Sequence, residues 1–241
     1  MTRASLALSF LMALSAPVAT PQLAKTPSLH FATIDEGRSL LTKRDDFVVR
    51  LSPFDRAARV QIDKDVTERE FLRFVAGSVR AWTAEERTVV ESAWSSLKPK
   101  LDEMALPFPE TVYFIKTSGA EEGGQEYTRG NSIVLPESAL SPQRRPSLNA
   151  TIAHELFHVL SRNAPELRDK LYAVIGFQPC GEIEFPPPLA SRKLTDPDAP
   201  KNDHCILLNG DAGPVWAAQS SFRQRSATTR PKAGHFSGMY N

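Results

Sequence analysis

Two short polar patterns, Thr67-Glu-Arg-Glu70 and Thr83-Ala-Glu-Glu86, punctuate the middle of the chain, and an apolar stripe of helical period follows each. In both, a threonine able to cap a helix stands three residues before a glutamate able to reach back to its backbone, which is the signature of a capping box. The first predicts a helix carrying Phe71, Leu72, Phe74, Val75 and Val79; the second predicts one carrying Val89, Val90, Ala93, Trp94 and Leu97. The pattern then changes. Thr111-Val-Tyr-Phe-Ile-Lys116 and Asn131-Ser-Ile-Val-Leu135 are rich in β-branched and aromatic residues and read as short strands, separated by a loop punctuated by Gly119, Gly123, Gly124 and Gly130. Asp46-Phe-Val-Val-Arg-Leu51 reads as another short strand, ending at Ser52-Pro53.

Pro142 and Pro146 break the chain, and Ser147 can cap a helix from Leu148 to about Arg162, followed by a further helix from Pro165 to Ile175. Beyond Gly176 no long periodic segment stands out. Residues 186–200 are proline-rich, and residues 211–241 are polar, basic and weakly patterned, which predicts a flexible tail. No internal repeat is present. The elements predict an α+β domain over residues 25–210, with a small sheet, an edge strand and a buried helix.

Composition narrows the class only a little. A net charge of +1 with 41% hydrophobic and 24% charged residues describes an ordinary globular protein with no electrostatic footprint for nucleic acid. The N-terminus adds more: Arg3 precedes the apolar run Ala4 to Leu14 and then small residues, the pattern of a secretory signal peptide over residues 1–24. No stretch approaches the length of a transmembrane helix, so no membrane anchor is expected after signal removal. The only two cysteines, Cys180 and Cys205, are expected to pair in the oxidising compartment that such a leader implies, secreted or periplasmic.

The chemistry is concentrated in His154-Glu-Leu-Phe-His158. On a helix, residues i and i+4 project from one face one turn apart, so two imidazoles can bind one metal ion. Glu155 points roughly 100° further round, suited to handling the proton of a metal-bound water and not to completing the coordination. With 5 histidines and a glutamate content typical of a globular chain, this spacing arises by chance in roughly one chain in 150.

These residues resemble the HExxH motif of the zincin metallopeptidases, and the order of helices and strand over roughly residues 65–185 is similar to theirs. The resemblance implies a Zn2+-dependent hydrolase of peptide bonds with His154 and His158 as ligands and Glu155 as general base. It also implies that the strand at 131–135 is a sheet edge to which a peptide or protein substrate adds. The longer metzincin motif is excluded, because Ser161 and Ala164 stand where a glycine and a third histidine belong. A gluzincin-like arrangement takes a downstream glutamate, and Glu182 is the expected third ligand. Glu166 and His204 are the alternatives: Glu166 also reads as part of a capping box with Asn163, and His204 stands beside Asp203. Tyr172, His204 and Arg162 are available as transition-state donors. The competing readings are an exported zinc-binding protein without catalysis and an exported interaction protein without metal.

Overall fold

The computed structural model describes residues 26–210, 213–222 and 236–240. In chain order it runs β1 (Ser28–Phe31), α1 (Ile34–Leu41), α2 (Asp46–Arg50), α3 (Pro53–Val60), α4 (Glu68–Ser78), β2 (Val79–Arg80), α5 (Ala84–Met104), β3 (Thr111–Thr117), β4 (Tyr127–Arg129) and β5 (Ser132–Pro136). Then follow α6 (Leu148–Asn163), α7 (Pro165–Val174), β6 (Phe177–Pro179), β7 (Lys193–Leu194), β8 (His204–Gly210), β9 (Gly213–Phe222) and β10 (Phe236–Tyr240). Helices are thus combined with small sheets, the mixed content expected of an α+β chain.

Both capping boxes form. Thr67 N donates to Glu70 Oε2 at 2.9 Å and Glu70 N donates to Thr67 Oγ1 at 3.2 Å; Thr83 and Glu86 make the same pair of bonds at 2.8 and 3.2 Å. Each satisfies two backbone donors that a helix start leaves orphaned.

β1, β3 and β5 are parallel, in the order β1-β3-β5-β4, with β4 antiparallel on β5 and β2 antiparallel on the end of β3. Alternation along the central strands fills two cores. Val112 and Phe114 of β3 and Ile133 and Leu135 of β5 face Trp94 of α5 and Ile152, Leu156 and Val159 of α6. On the other side, Ile115 and Val134 pack on Leu41, Val48, Phe71 and Val75 from α1, α2 and α4. Strands buried on both faces are the usual consequence of helices covering a parallel sheet.

Three expectations are corrected. Residues 46–50 are helical, because Asp45 caps them by accepting from Val48 N at 3.2 Å and the turn delivers Phe47 and Val48 to the core. The β propensity of Phe-Val-Val is overridden by that packing. The strand at 131–135 is β5, paired on both sides, and the sheet edge is β4. Residues 213–222 and 236–240, assigned by composition to a flexible tail, form β9 and β10 of a second sheet ordered β6-β8-β9-β10, with β7 also on β9. The leader at residues 1–24 and the rest of the tail lie outside the described residues. Among the described residues no helix is long and apolar enough to cross a membrane.

Cys180 and Cys205 are bridged, with Cα atoms 5.8 Å apart. The bridge joins the end of β6 to β8 and so fixes the second sheet behind α7.

Gly37 offers a test of the packing between α1 and the sheet. A Cβ there would stand 2.9 Å from Val79 Cγ1 and 3.1 Å from Ile115 Cγ2, whereas one at Gly77 of α4 meets nothing within 4 Å. Gly77→Ala should therefore raise stability by about 0.4–1 kcal/mol. Gly37→Ala should lower it by about 1–3 kcal/mol despite the better helix former. Urea midpoints of the two variants check this, and a stabilised Gly37→Ala would contradict the close approach.

Candidate metal centre

His154 and His158 sit one turn apart on α6, and their Nε2 atoms approach to 3.1 Å. Two imidazole nitrogens bound to one tetrahedral zinc at about 2.0–2.1 Å would lie about 3.3 Å apart, so the pair fits a shared metal ion. His154 is exposed and His158 half-buried, so α6 is not buried all round as its composition suggests; Ala153 and His154 line its open face. Burial, His154 and the Arg162 guanidinium hold the His158 imidazole down to about 3, keeping it neutral, the state that ligates metal. Its Nδ1 is buried and lacks a hydrogen-bond partner, although a metal-ligating histidine usually donates from its second nitrogen.

Glu155 is 3% exposed and its Oε2 has no hydrogen-bond partner among the described residues. Burial and the carboxylates of Asp198, Glu126 and Asp196 push its carboxyl up to about 9, against the opposing pull of Arg162. A carboxyl in this setting takes up a proton readily, and a cation nearby would return it to the ionised form.

Arg162 is two turns beyond His154 on the same side of α6. Its Nη1 donates to Thr128 Oγ1 at 2.8 Å and to the Gly130 carbonyl at 3.2 Å; its Nη2 donates to the carbonyls of Pro197 and Asp198 at 3.0 and 3.2 Å. It therefore joins α6 to the β4 edge and to a strap formed by residues 195–198. Asp198 Oδ1 in turn accepts from Thr128 N at 2.7 Å and from Thr128 Oγ1. Thr128 and Asp198 had no distinguishing signal in the sequence; their contact spans 70 residues and a proline-rich loop.

The other expected site residues lie elsewhere. Glu182 is not brought to the histidine pair: both its carboxylate oxygens are held by the Arg50 guanidinium of α2. Among the described residues, no group of three histidine, cysteine or acidic side chains is gathered in a way that could hold a metal. Glu166 is exposed in the first turn of α7, and the capping box with Asn163 does not form: Asn163 is the last residue of α6, Ala164 is the N-cap of α7, and the Asn163 amide donates to the carbonyls of Val159 and Gly130.

His204 has a different neighbourhood. Its Nδ1 lies 2.8 Å from Asp203 Oδ1 and its Nε2 lies 3.2 Å from Asp169 Oδ1, while Arg168 forks onto Asp203 at 2.7 and 3.0 Å. Its ring packs on Tyr172 at 4.4 Å, and Tyr172 packs on Phe157, which meets His158 edge-on. Tyr172 and His204 thus buttress the histidine pair through Phe157, and the donors of Arg162 are committed to the strap and the sheet edge.

No protein family, characterised protein or solved structure matches the chain. The functional reading rests on the chemistry of this site.

The setting of Glu155 predicts a pH effect. A carboxyl whose folded value of about 9 lies above its ordinary 4.5 contributes stability that is complete below about 4.5 and is lost as pH rises through about 9. In chelator-treated protein, Glu155→Gln should melt close to wild type near pH 5 and progressively above it towards pH 8, since the amide cannot ionise. The opposite trend of His158, which loses stability on acidification from about 6.5 towards 3, is common to both proteins and cancels in the difference. A melting difference independent of pH would contradict the assignment.

Proposed function

We propose that the chain is an exported, zincin-type hydrolase of peptide or related amide bonds, with zinc held by His154 and His158 and Glu155 as general base. The observation that carries this reading is the convergence of the two Nε2 atoms at 3.1 Å, one residue from a buried carboxyl whose Oε2 has no partner. Bound there, zinc would polarise the substrate carbonyl and lower the pKa of its water towards about 7. Glu155, ionised beside the cation, takes the water's proton and passes it to the leaving amine. Arg162 orients α6 against the sheet edge, and Phe157 with Tyr172 supports the His158 ring. The Cys180–Cys205 bridge agrees with an oxidising compartment. Glu182 is left out of the proposed ligand set, since Arg50 holds its carboxylate.

One observation favours a second reading, an exported protein in which the motif is structural. The same 3.1 Å contact satisfies the two Nε2 atoms as an N–H···N hydrogen bond between neutral imidazoles.

Metal analysis and a peptide screen separate the two. The purified protein should carry one equivalent of zinc, and His154→Ala/His158→Ala should lose it. Glu155→Gln should keep the zinc and lose at least about a hundredfold in hydrolysis of a mixed peptide library. A full equivalent of zinc in the double variant, or unchanged turnover in zinc-loaded Glu155→Gln, would overturn the proposal.

A further inference from the structure

β4 ends the first sheet, yet its residues are almost fully buried, with Tyr127 at 2%, Thr128 at 0% and Arg129 at 4% exposure. Thr128 stands opposite Ile133 of β5, and its N–H faces away from β5 to the strap. Among the described residues no strand lies against this edge. Side chains stand where a strand's backbone would: the Asp198 carboxylate accepts from Thr128 N as a peptide carbonyl would. The Arg162 guanidinium and the Asn163 amide donate to the Gly130 carbonyl as peptide N–H groups would.

The grip on the strap is entirely polar. Thr195 N donates to Asp55 Oδ2 at 2.8 Å, the Thr195 carbonyl accepts from Arg59, and Asp198 N donates to Asp196 Oδ1 at 2.8 Å. No residue between 193 and 200 belongs to either hydrophobic core. Thr195 is 3% exposed and its bond to Asp55 is buried, so the strap is anchored at that end, whereas its Pro197–Asp198 end is held by half-buried hydrogen bonds alone. Beside it lies a cavity whose lining includes Asp45, Asp46, Phe47, Arg129, Arg162 and Pro197, so it shares residues with both β4 and the strap.

We propose that residues 195–198 are an autoinhibitory strap, occupying the edge of β4 in place of an extended peptide that pairs there once the strap is displaced. This rests on the peptidase reading for its role in function, since Arg162 joins the strap to the helix that carries His154, Glu155 and His158. Unlatching exchanges the Asp198–Thr128 bond for a backbone bond to the incoming strand, while the Arg162 donors released by the Pro197 and Asp198 carbonyls must turn to the peptide's own carbonyls or to water. Asp198→Ala removes the latch. Thr128→Val removes the hydroxyl that binds both Asp198 and Arg162 and leaves the strand backbone intact.

The test is fluorescence anisotropy with a labelled mixed-sequence octapeptide pool, in chelator so that no cleavage competes, on full-length wild type and both variants after circular dichroism has established folding. Each variant should bind the pool at least about fivefold more tightly than wild type. Amide exchange should rise at residues 127–129 and not in the core-facing part of α6. Unchanged or weaker binding by folded variants overturns the proposal, as does dimerisation without peptide capture, which would make the strap a guard against edge-to-edge association. Hydrolysis by the zinc-loaded proteins is scored separately: tighter binding with no cleavage by any of them retains the strap as a peptide gate and rejects the peptidase.

Discussion

Arg162 brings a guanidinium into the half-buried seam between α6 and the sheet edge, where burial lowers its affinity for its proton and none of its bonds is to a carboxylate oxygen. A charge in that position is tolerated only if its donors are satisfied, because the desolvation of an unpaired buried cation costs several kcal/mol. The four oxygens that satisfy it come from β4, the turn after β4 and the strap. Helix, sheet edge and strap are therefore fixed to one another through one side chain. His154, His158 and Arg162 follow at successive turns of α6, so the bonds that hold Arg162 also set the direction of the histidine stripe.

The same guanidinium is the cation that pulls against the carboxylates around Glu155. Asp198, Glu126 and Asp196 all disfavour its ionised form, and burial adds to them. Negative charge is thus in excess around this face of α6, and it is relieved by taking up either a proton or a metal cation. Burial and these carboxylates together push Glu155 towards the protonated, neutral form. Under the proposed reading, a divalent ion at the neighbouring histidine pair would relieve the same excess and return the carboxylate to its ionised form. In that reading, metal binding and the ionisation of Glu155 would be coupled by this arrangement of charges.

Much of the first sheet and its helices could be read from local chemistry. The boxes at Thr67 and Thr83 each need only four residues to specify a helix start, and the β-branched runs of β3 and β5 are bounded by glycine and proline. The Thr33–Glu36 box that opens α1 is equally local, but the polar stretch around it masks its signal. What failed had long-range causes or ambiguous propensity. Asp46 to Arg50 carries strand-forming residues that tertiary packing holds in a helical turn. The hairpin of β8 and β9 has alternating burial only from Ile206 to Ala217, and its turn signals, Asn209-Gly210 and Gly213, lie in a segment whose polar and basic composition hides them. The histidine spacing was legible because one helix turn creates it. The destinations of Glu182 and Asp198 were not, because Arg50 and Thr128 are distant in sequence and only the assembled fold brings them into reach.

X-ray absorption at the zinc edge of the metal-loaded protein tests most directly whether the two imidazoles share one ion. Outer-shell scattering from two imidazole rings, with nitrogen at about 2.0–2.1 Å in the first shell, is the expected spectrum. A first shell of oxygen without imidazole scattering, or protein that takes up no zinc at all, would contradict the assignment of His154 and His158 as a metal centre.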